Sequence, residues 1–193
     1  MNLSDNIKNA VEVVSKTYEN VNKFVKYCDS ISVDHGYEPV MNKILKDISN
    51  SSNEVFLTKR IIKLYQQKSD YKLNNGWKDG PIFEIVIDFY DKPVIYISKL
   101  EYENVVKWRR GVSSTEYWGF SDPIESENSG FIKNQIPEME GYFVSVPGTK
   151  ELKEDYWDIK KAIYKEIDLL EIDANNVYQK IFGEFDVLNS IYA

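Results

Sequence analysis

Cysteine and histidine are nearly missing from this sequence of 193 residues, which has one of each, Cys28 and His35. A single thiol excludes an internal disulfide, and one thiol with one imidazole excludes the usual four-ligand zinc site. Any thiol-nucleophile mechanism would have to pair these two residues. Cys28, however, falls on an apolar helical seam, where a thiol behaves as a small hydrophobe. No Gly-x-Gly-x-x-Gly, Gly-Lys-Ser/Thr or Gly-x-Ser-x-Gly string occurs, so the common phosphate-loop and serine-hydrolase signatures are absent. Long apolar runs are also missing. The longest covers residues 94–97, far short of the roughly 20 residues that span a bilayer. Residues 1–30 mix Lys, Glu and Asn and contain no charged-then-apolar leader. The expectation is a cytoplasmic protein with no membrane segment. Arginine is confined to Arg60, Arg109 and Arg110, and alanine is scarce, whereas Lys, Asn, Ile and Tyr are plentiful. That bias follows A/T-rich codons and fits a low-GC bacterium or its phage.

What is present is ordinary core-forming material, 42% hydrophobic and 14% aromatic residues with a net charge of −7; a chain of this make-up is not disordered. The charge is uneven: residues 51–110 carry 11 basic against 8 acidic side chains, and residues 111–193 carry 7 against 16. An acidic end argues against DNA or RNA as partner, because phosphate backbones are bound by Lys and Arg.

The spacing of Ile7, Val11, Val14, Tyr18, Val21, Val25 and Cys28 by fours and threes predicts a helix over residues 5–30 with a heptad seam. Two shorter helices are expected over 38–49 and 53–68. The alternation of Phe83, Ile85, Ile87 and Phe89, followed by Val94 to Ile97, predicts a β-hairpin. A short helix is expected over 101–110, a third strand near 117–120, and a last strand over 142–146. Thr149 then caps a long final helix, on the spacing of Leu152, Tyr156, Ile159, Ile163, Ile167, Leu170, Ala174, Val177 and Ile181. The expected fold is therefore a single α+β domain over 1–193: a helical part to residue 70, a small antiparallel sheet with a long loop over 71–148, and a long helix over 149–193. Its two long terminal helices bracket the shorter helices and the sheet. Their matching seams pair within one chain or make a homodimer.

Asp88, Asp91 and Lys99 give the hairpin a passing likeness to the core of metal-dependent nucleases. Those enzymes need a second carboxylate two residues before the lysine, and Ile97 stands there. Neither Asp122, Glu125 and Glu127 nor Asp168, Glu171 and Asp173 follows the order of a calcium loop. No catalytic residue, metal ligand or cofactor is assigned from the sequence. Two features suit binding instead. Tyr117, Trp118 and Phe120 beside Asp122, Glu125 and Glu127 suit docking of a basic, partly apolar protein surface. Lys107, Trp108, Arg109 and Arg110 gather cations around an indole, which suits a small anionic ligand or nucleotide. The leading expectation is a non-catalytic protein that acts by protein–protein interaction, of the inhibitor, immunity or anti-defence kind. A sensor of an anionic ligand is the first alternative and a metal-dependent nuclease the second.

Overall fold

A computed structural model describes residues 2–48, 58–113, 116–124 and 129–191. Its centre is an eight-stranded antiparallel sheet: β1 (Tyr37–Pro39), β2 (Leu45–Ile48), β3 (Thr58–Gln67), β4 (Ile82–Asp88), β5 (Val94–Tyr102), β6 (Phe131–Gln135), β7 (Tyr142–Pro147) and β8 (Ile159–Asp168). The strand order is β1-β3-β4-β5-β8-β7-β6, with β2 following β1 along the same edge of β3. The helices are α1 (Leu3–Ser32), α2 (Trp118–Ser121), α3 (Lys150–Asp155) and α4 (Glu184–Ser190), the last continuing a π-helical turn over Tyr178–Gly183. Among the described residues, no helix is long and apolar enough to cross a membrane.

This corrects the expectation of long helices around a small sheet. The first helix is as expected, but the expected helix over 38–49 is replaced by two short strands, Tyr37–Pro39 and Leu45–Ile48, joined by an irregular segment, and residues 58–67 are a strand; residue 49 and residues 53–57 of the expected short helices lie outside the described residues. Ile61, Ile62, Leu64 and Tyr65 are apolar at both one- and three-residue spacings because β3 is buried on both faces, which erases the alternation that marks a half-exposed strand. Thr149 does cap a helix, its hydroxyl accepting from Leu152 N at 3.1 Å, but that helix is six residues long. Ile159, Ile163 and Ile167 then continue in β8, since a spacing of four satisfies a period of two as well as one of 3.6. Residues 101–110 form the end of β5 and a single 3₁₀ turn over Val105–Lys107, and residues 118–121 form a helical turn rather than a strand.

Both sheet faces are covered. On one, Phe83, Ile85, Ile95, Ile97 and Ile163 pack with Val21, Val25 and Cys28 of α1 and with Phe182, Phe185 and Leu188. Lys63 Nζ ties α1 to the sheet by donating to Asp29 Oδ2 at 2.7 Å, and the Tyr65 hydroxyl donates to Asp29 Oδ1 at 2.9 Å. The two end helices thus share a sheet face. The other face carries Ile62, Leu64, Val86 and Leu100 under loops and short helices that bring Trp77, Trp108, Phe120 and Trp157 together.

Candidate functional site

The aromatic face opens into a pocket of about 430 Å³, and each wall comes from a different part of the chain. In the β3–β4 connection, Gly76 has φ of +91°, a conformation open to glycine without strain, and it turns Trp77 back toward the sheet. Asn75 Nδ2 donates to the carbonyls of Val105 and Trp108, both at 2.9 Å, and Trp77 Nε1 donates to Arg109 O at 3.0 Å. This segment is thereby stapled to the one that follows β5. Trp108 meets Trp77 edge to face at 4.9 Å, Tyr102 at 4.5 Å and Trp157 at 5.4 Å.

Trp157 and Asp158 join α3 to β8 with φ of +56° and +61°. Left-handed backbone at a residue other than glycine costs on the order of 1–3 kcal/mol and concentrates at ligand clamps and active sites. The surroundings impose it: Asp158 N donates to Lys153 O at 2.9 Å, and Glu103 N donates to Asp158 O at 3.0 Å. Gly119 lies flat on the Trp157 ring, where a Cβ would stand 2.4 Å from the ring carbons, so only glycine lets α2 approach this closely.

The rim is charged. Lys107, Arg109, Glu116 and Asp158 line the pocket with Asn104. Arg109 donates to Glu116, and the Glu116 carboxylate also accepts from Ser113 N at 2.6 Å. Burial pushes the Glu116 carboxyl up, but these two donors outweigh it and hold the group below its ordinary value. Arg109, Gly111, Val112 and Glu116 also line an adjoining hollow of about 540 Å³, whose further cation is Arg110. The four residues Lys107, Trp108, Arg109 and Arg110 read from the sequence as an anion site are thus gathered here, three on the pocket and the fourth on the hollow beside it.

The aromatic-acidic cluster is divided. Phe120 is fully buried against Trp157 and offers a partner no surface. Trp118 packs at 5.1 Å on Tyr156, whose hydroxyl donates to Asp122 Oδ2 at 2.6 Å, and both residues are half-buried. Tyr117 is half-buried too; burial and then the Asp47 carboxylate raise its hydroxyl pKa. Glu125 and Glu127 lie outside the described residues. These rings cover the sheet because aromatic side chains bury more area than any other.

The nuclease-like residues do not converge. Asp88 pairs with Val94 in register, while Lys99 pairs with Phe83 near the other end and, being odd-numbered on β5, points to the opposite sheet face. Asp88 is held by Arg60 Nε at 2.7 Å, and Lys99 Nζ by Ile191 O at 3.1 Å and Glu101 Oε1 at 3.0 Å. Among the described residues, no group of three His, Cys, Asp or Glu side chains could hold a metal ion. Burial pushes the Cys28 thiol up to about 12, and His35 stacks on Tyr178 at 3.8 Å.

Sequence reading missed Trp77, Trp157, Glu116 and Asp158. Asn74-Asn75-Gly76-Trp77 is a turn signal with an aromatic at its exit, and Tyr156-Trp157 follows a capped helix, but nothing in one sequence says that two such places meet. No family model, curated protein or solved structure matches this chain. Fold and site together define a sheet-centred α+β protein with an open aromatic pocket and a charged rim.

Proposed function

We propose that this is a binding protein whose ligand is a small molecule with a flat ring and an anionic group, a nucleoside phosphate being the fitting chemistry. The observation that carries the reading is the convergence of three tryptophans from distant segments on one pocket whose rim holds Lys107 and Arg109. Indole faces suit planar rings, each stacked base contributing about 1–3 kcal/mol. The Arg109–Arg110 hollow suits the anion, because a guanidinium presents a planar fork of donors to phosphate or carboxylate. The balance of charge on the pocket's rim, Lys107 and Arg109 against Glu116 and Asp158, fits recognition of a ligand more closely than grip on a long polyanion. In this reading the protein binds and releases without chemical turnover.

Quenching of tryptophan fluorescence by adenosine and guanosine mono- and triphosphates and by flavin mononucleotide provides the test. At least one of these should bind in the micromolar range. Trp108→Ala should weaken it at least tenfold, and Arg109→Glu with Arg110→Glu should weaken the phosphorylated form more than the nucleoside. If none of these compounds binds wild-type protein, the reading is wrong.

A further inference from the structure

Two polar side chains on the aromatic pocket do nothing for the fold. Glu116 and Asp158 are the acids among its lining residues. Glu116 is engaged, accepting from Arg109 and from Ser113 N. Asp158 is half-buried, and its carboxylate has no hydrogen-bond or ion-pair partner among the described residues. The fold uses only its backbone: Asp158 N donates to Lys153 O, and Asp158 O accepts from Glu103 N, which together hold φ at +61°. Glycine would meet that requirement without strain, whereas strain kept at another residue type collects where a side chain is aimed at a ligand. Asn104 follows Glu103 and lines the same pocket, so the Glu103–Asp158 bond joins the two segments. Its half-buried amide caps nothing and has no partner among the described residues, in contrast to that of Asn75, which is committed to the carbonyls of Val105 and Trp108.

We infer that Asp158 and Asn104 make the pocket selective for guanine, Asp158 accepting from the ring N1–H and the 2-amino group while Asn104 donates to the 6-oxo oxygen. The inference rests on the reading of the pocket as a site for a nucleoside phosphate. Counting donors and acceptors decides the base. A carboxylate offers acceptors alone, and a side-chain amide adds donors. The guanine edge presents two adjacent donors and then an acceptor, which is the complement of that pair. Adenine presents an unprotonated ring nitrogen at the same edge, so the carboxylate would face a lone pair. A flavin ring offers one N–H between two carbonyls, half of what Asp158 can receive. Trp157 immediately precedes Asp158 and lines the same pocket, so consecutive residues supply a ring for stacking and an acceptor for the edge. Lys107 has no ion pair among the described residues and, with the Arg109–Arg110 hollow, leaves cations for the phosphate. A site built to receive donors rejects an analogue that lacks them, because its own buried groups are then left unpaired.

Calorimetric titration of the full-length chain with guanosine, inosine, adenosine and 2′-deoxyguanosine monophosphates tests the inference. Wild-type protein should bind the guanosine compound at least about tenfold more tightly than the adenosine one, as one bidentate pair allows. Inosine monophosphate, which lacks the 2-amino group, should fall between them, and the deoxy compound should bind as well as its ribose parent. Asp158→Asn should abolish the preference by weakening guanosine monophosphate at least about tenfold while leaving adenosine monophosphate within about twofold. Its melting transition should be unchanged, because Asn is among the residues that adopt left-handed backbone readily. Asn104→Ala should weaken guanosine monophosphate severalfold. Binding of the guanosine and adenosine compounds with equal affinity, or a preference that survives Asp158→Asn, overturns this inference alone and leaves the nucleotide reading standing. A loss on removing the 2′-hydroxyl as large as the loss on changing the base also overturns it, since the carboxylate would then be reading the sugar. Failure of all four to bind wild-type protein overturns the inference together with the reading beneath it.

Discussion

Glu84 is the side chain whose place in the fold is hardest to reconcile with its chemistry. It lies in β4, fully buried, with Oε1 accepting from the Ser98 hydroxyl at 2.6 Å and Oε2 without a hydrogen-bond partner. Burial pushes its carboxyl from an ordinary 4.5 to about 8, the Ser98 hydroxyl pulling the other way. The folded protein therefore keeps this proton at neutral pH while the unfolded chain releases it. The contribution of Glu84 to stability falls as pH rises from 4.5 toward 8 and is level on either side, by on the order of 5 kcal/mol at 1.36 kcal/mol per unit. Glu84→Gln removes the titration and keeps an acceptor for Ser98. Its advantage over the wild type in urea denaturation should thus be small at pH 5 and grow steadily to pH 8; parallel stability curves would mean that Glu84 does not titrate in this range. The adjacent Tyr102 hydroxyl is likewise buried without a partner and its pKa lies well above the ordinary value, first by burial and then by the Glu84 charge. Nothing in the sequence singled out Glu84. A strand reading Ile-Phe-Glu-Ile-Val-Ile-Asp places Glu84 and Asp88 on the face opposite Phe83, Ile85 and Ile87, which looks like a solvent face until the second layer is known.

Among the elements, α1 carries two different surfaces on one seam, and substitution should separate them. Val25 is 3% exposed within the core, so Val25→Ala should cost about 2 kcal/mol in chemical denaturation through lost burial and the cavity left behind. Val11 is 61% exposed, so Val11→Ala should change stability by less than about 0.5 kcal/mol, as exposed positions do. Equal losses would place Val11 in a packed surface. The heptad spacing was enough to read this helix because its polar positions are unambiguously polar. It was not enough for β8, where Ile159, Ile163 and Ile167 fit a helix and a strand alike; the β-branched and aromatic content of Ile-Tyr-Lys-Glu-Ile favours the strand, and eight-strand context decides it. The site was half legible for a related reason. Lys107 to Arg110 are neighbours in sequence and could be read together, but Trp77 and Trp157 join them only through strand order.

At the scale of the whole molecule, stability should be graded across the sheet. All seven residues of β4 are buried between β3 and β5, whereas β6 is an edge strand with four of its five residues exposed. Amide hydrogen exchange should therefore be slowest in β4 and β5 and fast in β6; equal protection would mean that something covers the β6 edge. The strand order also divides the chain in time. Strands β3, β4 and β5 meet their neighbours through short connections, as do β6, β7 and β8, but β5 and β8 pair across roughly sixty residues, and contacts of such long range are the slow ones to form. Trp77 and Trp108 belong to the first of these groups, and Trp157 introduces the last strand of the second. Their pocket cannot exist before the two halves of the sheet have met. A nascent or partly folded chain can thus own most of its secondary structure and still lack this pocket, so that the proposed binding of a ligand would be the final property the polypeptide acquires.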